Sequence, residues 1–137
     1  MKSNKKKGVL LAGGLGARLF PVTNSVSKHL LPLNDKPMIY YPLSTLMLAG
    51  VRDILLITNE RDLQSFKNLL SDGNHLGINI SYKIQDQPLG VIDAFLLAED
   101  FIGNNPVILI LGDNFFHGSE LIAKLQKSHT VKGATIY

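Results

Sequence analysis

Short apolar runs alternate along the chain with segments whose apolar residues recur at helical spacing. Val9–Ala12, Asp53–Thr58, Asn79–Ile84 and Val107–Leu111 have strand length and read as buried parallel strands. Between them, Leu43, Leu46 and Met47 form one helical stripe, closed by Gly50 as the residue after the C-cap. Leu63, Phe66 and Leu70 form a second, with Asn59 as its N-cap and Gly73 as its stop. Ile92, Phe95 and Leu96 form a third, and Leu121, Ile122 and Leu125 a fourth, with Ser119 as its cap. Such alternation predicts an α/β domain built on an open, mostly parallel sheet. Gly133–Tyr137 reads as the start of a further strand, so the chain is expected to be the N-terminal part of something larger.

Composition narrows the picture. At 137 residues, with 45% hydrophobic and 18% charged positions, the chain suits one globular domain rather than a disordered segment. No apolar run approaches the ~18 residues of a membrane span. With no cysteine, a disulfide framework and a thiol nucleophile are excluded, and a cytoplasmic setting is the expectation. The net charge of +3 comes from 14 basic and 11 acidic residues, but Lys2, Lys5, Lys6 and Lys7 all fall in the first seven positions. Without these four the balance is 10 − 11 = −1. The basic character thus sits at the N-terminus, where a basic tail over residues 1–6 is expected to lead into a domain over residues 7–137. A neutral body predicts neither a nucleic-acid nor a membrane partner.

Four segments carry candidate chemistry, and each leaves a predicted strand at its carboxyl end or lies in the loop that follows. Ligands of open α/β sheets bind at those ends. After the first strand comes Gly13-Gly14-Leu15-Gly16-Ala17-Arg18, which opens a loop running to about Lys36. Connections in α/β units are usually ~2–6 residues, and a much longer one is usually functional. Glycines allow a sharp turn and close backbone approach, successive N–H groups form an anion nest, and Arg18 can grip phosphate oxygens bidentately. The alternative is a plain glycine turn. Neither common phosphate loop is matched: G-x-x-x-x-G-K-[ST] is absent, and G-x-G-x-x-G meets Leu19 at its third glycine. Lys28, in Ser27–Pro32, can bring a second positive charge to the same phosphates, although alone it also reads as a surface lysine, and His29 as a polar loop residue. Asp113 follows the strand Val107–Leu111; a hard carboxylate there suits Mg²⁺, and a turn aspartate is the other reading. Gln85, at the end of the third strand, offers an amide that matches a pyrimidine edge, and Gly90 lets backbone approach a base; alone, the segment also reads as an ordinary loop. The histidines show no metal-ligand spacing.

Taken together these segments resemble a known family. Leu11–Thr23, in the form L-A-G-G-x-G-x-R-L-x-P-x-T, resembles the signature of the sugar-phosphate nucleotidyltransferases, and Ser27–Pro32 that family's lysine motif. Asp35–Leu43, Ala49–Ile54 and Leu111–Asn114 are similar to the branch that transfers thymidylyl groups. The resemblance implies a Rossmann-like three-layer fold: an open, mostly parallel sheet with helices on both faces. It implies attack of a sugar 1-phosphate oxygen on the α-phosphorus of a nucleoside triphosphate, with loss of pyrophosphate. The implied partners are dTTP and glucose 1-phosphate, the implied cofactor Mg²⁺, and the implied setting the opening step of dTDP-sugar synthesis in a homo-oligomeric full-length enzyme. By matched position, Gly13, Gly14 and Gly16 hold the triphosphate, and Arg18 and Lys28 are catalytic and nucleotide-binding. Leu11, Gln85 and Gly90 contact the base, and Asp113 binds metal. His29, Ala17 and Val91-Ile92 depart from the family's usual residues near base and phosphates.

Overall fold

The computed structural model describes residues 5–127 and 133–136. Four parallel strands, β1 (Lys7–Ala12), β4 (Asp53–Thr58), β5 (Asn79–Ile84) and β6 (Val107–Leu111), form one sheet in the order β5-β4-β1-β6, and the loop after β1 holds a small antiparallel pair, β2 (Pro32–Leu33) and β3 (Lys36–Pro37). β1 is paired on both sides, with Leu10 opposite Leu56 and Ile110. It begins two residues earlier than the apolar run suggests, because Lys7 joins the ladder opposite Asp53 and Val107. The other three strands have the limits read from the sequence.

Strand alternation divides the core in two. Leu10, Ala12, Ile54, Leu56, Ile80 and Ile110 point to one face, which is covered by α1 (Tyr40–Leu48), α2 (Glu60–Leu70) and α5 (Leu121–Lys127). Val9, Leu55 and Ile57 point to the other, under α3 (Val91–Leu97) and α4 (Glu99–Ile102). The result is the three-layer architecture with helices on both faces. None of its helices is long and apolar enough to cross a membrane, among the described residues.

Helix ends follow local chemistry, with three departures from expectation. α1 ends as expected: Gly50, at φ 83°, donates to the Met47 carbonyl and Val51 to that of Leu46, the paired bonds of a Schellman motif. Asn59 caps α2 by accepting the Asp62 N–H at 2.8 Å. The stop of α2, however, falls at Ser71 (φ 51°) rather than Gly73, which at φ 81° opens the next short turn. The Ser71 conformation is held by its N–H to the Lys67 carbonyl and by the Tyr82 hydroxyl on its own carbonyl at 2.6 Å. α5 starts after Glu120, whose carbonyl accepts from the Lys124 N–H, so Glu120 and not Ser119 takes the cap position.

The third departure concerns α3. Ile92 is 79% exposed and Leu96 67%, while Ala94 and Ala98 are fully buried over Val9, Leu55 and Ile57. The large residues face outward because the sheet offers its own bulky side chains there, and only methyl-sized partners let the helix come close. Gly133–Ile136 forms no strand; Tyr137 and the tail residues Met1–Asn4 lie outside the described residues.

Lys6, assigned to the basic tail, belongs to the body. It is buried, and its Nζ donates to the carbonyls of Ala49 at 3.3 Å and Leu125 at 3.2 Å. Those carbonyls sit at the C-terminal ends of α1 and α5, where a cation complements the helix dipole. Burial lowers its pKa from the usual lysine value. Lys6→Met is therefore expected to remove the buried ammonium that these two carbonyls share and to cost about 1–3 kcal/mol of stability. Urea denaturation of the two proteins measures the difference, and equal midpoints would show that the ammonium contributes nothing.

Candidate functional site

The carboxyl ends of β1, β5 and β6 open into one cleft of about 200 Å³. Leu11 and Leu111 form its floor, Gly13 and Gly14 one wall, Gln85, Pro88 and Gly90 another, and Lys28 and Asp113 its mouth, with the buried His29 behind them. Seven residues singled out in the sequence thus meet here: Leu11, Gly13, Gly14, Lys28, Gln85, Gly90 and Asp113. Gly16 and Arg18 do not line it. Arg18 is exposed on a short turn, Ala17–Leu19, just past the glycines. Gly16 acts on the backbone: its φ is 65°, and a Cβ there would stand 2.9 Å from the Thr23 methyl and 3.2 Å from Lys28 Cβ. Only glycine allows the returning loop to pack so closely, and that packing brings Lys28 back over the sheet edge.

The long loop is braced from below by residues to which the sequence reading gave no part in the site. Thr23 Oγ1 donates to the Gly16 carbonyl at 2.7 Å, and Arg61 reaches the Thr23 carbonyl at 3.3 Å. Arg61 also grips Asp62 through Nε and Nη2, at 2.8 and 3.1 Å. Asn59 Nδ2 donates to Asp62 at 2.9 Å and to the Gly13 carbonyl at 3.4 Å. The N-terminus of α2 thereby supports both ends of the glycine turn. Burial works to raise the Asp62 pKa, but the hydrogen bonds from Arg61 and Asn59 outweigh it and hold the carboxyl below its usual value. An acid three residues after a capping Asn is the signal that could have revealed this brace.

At the mouth, Lys28 Nζ pairs with Asp113 Oδ2 at 2.5 Å across 85 positions of sequence. Burial alone would raise the Asp113 pKa; the Lys28 hydrogen bond and charge bring it below the ordinary carboxylate value. His29, expected as a polar loop residue, is only 2% exposed. Its Nδ1 lies 3.2 Å from Ser27 Oγ, and its ring packs beside Phe66. Its other edge rests on Gly112, where an added Cβ would come within 2.7 Å of His29 Cδ2. Burial, followed by the positive charge of Lys28, pushes the imidazole pKa down to about 4. His29 is thus a neutral wedge that fixes the turn carrying Lys28 against the strand end carrying Asp113. In the other wall, Gln85 is nearly fully buried, with its N–H on the Thr58 carbonyl and its side-chain Nε2 on Asp93 Oδ2 at 2.6 Å. Asp93 is a further residue of the site that the sequence reading missed.

Two outcomes are expected from this wedge. Gly112→Ala should cost about 1–3 kcal/mol through overpacking. His29→Ala should remove most of that penalty in the double variant, as a double-mutant cycle by denaturation would show; strict additivity would mean the contact is relaxed at no cost. The second outcome concerns pH. A histidine whose folded pKa lies below the ordinary 6.5 takes up its proton more readily when unfolded. Its stabilising effect is complete above pH 6.5 and is lost as pH falls toward about 4, by up to about 3 kcal/mol. The depressed carboxylates of Asp62 and Asp113 begin to lose their contribution only below about pH 5, at the lower end of that window. Denaturation midpoints between pH 7.5 and 4.5 should fall in this protein and flatten in His29→Gln.

Comparison with known proteins agrees with this geometry. Residues 7–137 match the nucleotidyl transferase family. A curated relative from Neisseria meningitidis serogroup A, named glucose-1-phosphate thymidylyltransferase, is 56% identical over 132 residues, spanning 96% of this chain and 46% of that protein. A protein of the same name from Mycobacterium tuberculosis H37Rv is 53% identical over 131 residues, again across 96% and 46% of the two chains. The chain therefore spans about half the length of the curated relatives it matches. Among solved structures, a Bacillus anthracis protein described as a glucose-1-phosphate thymidylyltransferase, in complex with sucrose, superposes with a TM-score of 0.85 at 36% identity, over 93% of this chain and 52% of that one. A UDP-glucose pyrophosphorylase bound to UDP-glucose superposes with a TM-score of 0.72 at 29% identity, over 92% and 54%. With its sheet, its cleft and all but its first six residues inside the match, the chain belongs to the nucleotidyl transferase family.

Proposed function

We propose that this chain is the nucleotide-binding part of a glucose-1-phosphate thymidylyltransferase. The observation that carries the reading is the Lys28–Asp113 pair, held at the mouth of a cleft whose walls are the β1 glycine turn and Gln85. In the reaction, an oxygen of the sugar 1-phosphate bonds to the α-phosphorus of dTTP. The bond from that phosphorus to the bridging oxygen breaks, and pyrophosphate leaves with the electron pair. Such transfer depends on positioning and on charge stabilisation, and needs no covalent intermediate.

Each residue has a part in this reading. Gly13 and Gly14 present backbone to the phosphates, and Leu11, Gln85 and Gly90 flank the base. Lys28 stabilises charge at the reacting phosphorus. Arg18, exposed beside the turn, closes over the phosphates when they arrive. The donor set at Asp113 suits Mg²⁺, which takes one or two carboxylates together with substrate phosphates. Its carboxylate is 37% exposed, faces the cleft and already holds a cationic group. Bound there, Mg²⁺ supplies neutralisation of phosphate charge. Lys28 and Asp113 pair with each other, and a triphosphate that engaged Lys28 would leave the Asp113 carboxylate to hold the cation. A cytoplasmic setting, a homo-oligomeric full-length protein and supply of a dTDP-sugar to cell-surface polysaccharide synthesis belong to the same reading.

Titration calorimetry of this chain with dTTP, with and without Mg²⁺, tests the proposal. Binding should be tighter with the metal. Lys28→Ala should weaken it by at least about tenfold, the loss of one charge-assisted contact. Asp113→Asn should abolish the gain from Mg²⁺ while leaving metal-free binding largely intact. A chain that ignores dTTP, or an Asp113 variant with undiminished metal dependence, would sink the assignment.

A further inference from the structure

The side chain of Gln85 is committed before any ligand arrives. Its Nε2 donates to Asp93 Oδ2 at 2.6 Å and lies 3.5 Å from the Gly90 carbonyl. A carboxamide nitrogen carries two N–H donors, and these two oxygens are the acceptors within its reach. The remaining polar atom, Oε1, lies on the other side, 3.0 Å from where a Cβ of Gly13 would stand. Among the described residues no group donates to Oε1, yet no buried side-chain oxygen there lacks a partner. Oε1 therefore opens onto the cleft that Gln85 and Gly13 line. The amide thus turns an acceptor toward the cleft and keeps its donors inside. Asp93 can hold it so because it is the third residue of α3, placed by the burial of the neighbouring Ala94 against the sheet.

We propose that Asp93 is a positioning residue for base selection. By accepting from Gln85 Nε2 it leaves only an oxygen to meet the base, and the cleft then selects a pyrimidine whose N3 carries a proton over one whose N3 is an acceptor. Thymine and uracil have the N3–H donor that Oε1 requires. Cytosine sets a lone pair against it, and the amide cannot turn to accommodate cytosine without leaving the Asp93 carboxylate without its donor. Such mismatches are costly because a desolvated polar group is left unpaired. The inference rests on the reading that Gln85 faces the base, and it adds the residue that decides which face of the amide is shown.

Competitive calorimetry of this chain with dTTP and dCTP, in the presence of Mg²⁺, gives the ratio of the two affinities. The unsubstituted chain should favour dTTP by at least about tenfold. In Asp93→Ala the amide is free to turn, and the ratio should fall below about threefold, chiefly because dCTP binds better. Asp93→Asn keeps the size of the side chain but can donate as well as accept, so the amide is again free to turn and the preference should fall here too, which a purely structural role for the side chain would not predict. Gln85→Ala should lose the preference altogether. A preference that survives in Gln85→Ala would overturn the reading that Gln85 meets the base. A preference lost in Gln85→Ala yet intact in Asp93→Ala would overturn the role of Asp93 and leave that reading standing. No preference in the unsubstituted chain would overturn both.

Discussion

Everything at the cleft depends on how β1 is clamped between its neighbours. Its ladder runs to Ala12 opposite Thr58 on one side and to Leu11 opposite Leu111 on the other. Two further bonds fasten its exit: the Gly112 N–H to the Leu11 carbonyl at 2.8 Å, and the Thr58 hydroxyl to the Ala12 carbonyl at 3.1 Å. A slip of one residue would turn Leu10 and Ala12 out of the core and move the glycine turn to the wrong face. Because both faces of β1 are buried, register is enforced from above and below at once. The glycines, Gln85 and Asp113 then share a cleft as a consequence of three strands ending level.

The second constraint is filling. Nothing at the base of the site is loosely packed: the His29 ring abuts Gly112, and Gly16 touches Thr23 and Lys28. Two of the side chains that face the cleft are backed by another: His29 lies behind Lys28, and Asp93 behind Gln85. Preorganisation of this kind removes reorganisation from the reacting step.

How much of this was legible in sequence follows from the range of the interactions involved. Strands and helix caps are local, so Asp53–Thr58 and Asn59 could be read from a few neighbouring residues. The motif residues could be gathered because strand ends in a parallel sheet point the same way, which brought seven of the nine nominated positions to the cleft. What escaped is long-range or rotational. Lys6 looks like tail charge until the carbonyls of Ala49 and Leu125, 43 and 119 positions away, are known to converge on it. His29 looks polar until Phe66 and Gly112 enclose it. The rotation of α3 escaped because periodicity rewards large apolar residues, whereas this helix is seated by its small ones.

That seating inverts the usual map of mutational tolerance. On α3 the bulky positions Ile92 and Leu96 stand in solvent, so replacing them with lysine or glutamate removes greasy surface without opening the core. Ala94 and Ala98, the least conspicuous residues of the segment, have no room to grow, since Val9, Leu55 and Ile57 lie directly beneath. A substitution scan of this helix would therefore find its rigid points at the alanines. An effort to improve solubility could rewrite Ile92 and Leu96 while leaving the two methyl groups, and Leu97 that packs beside them, alone.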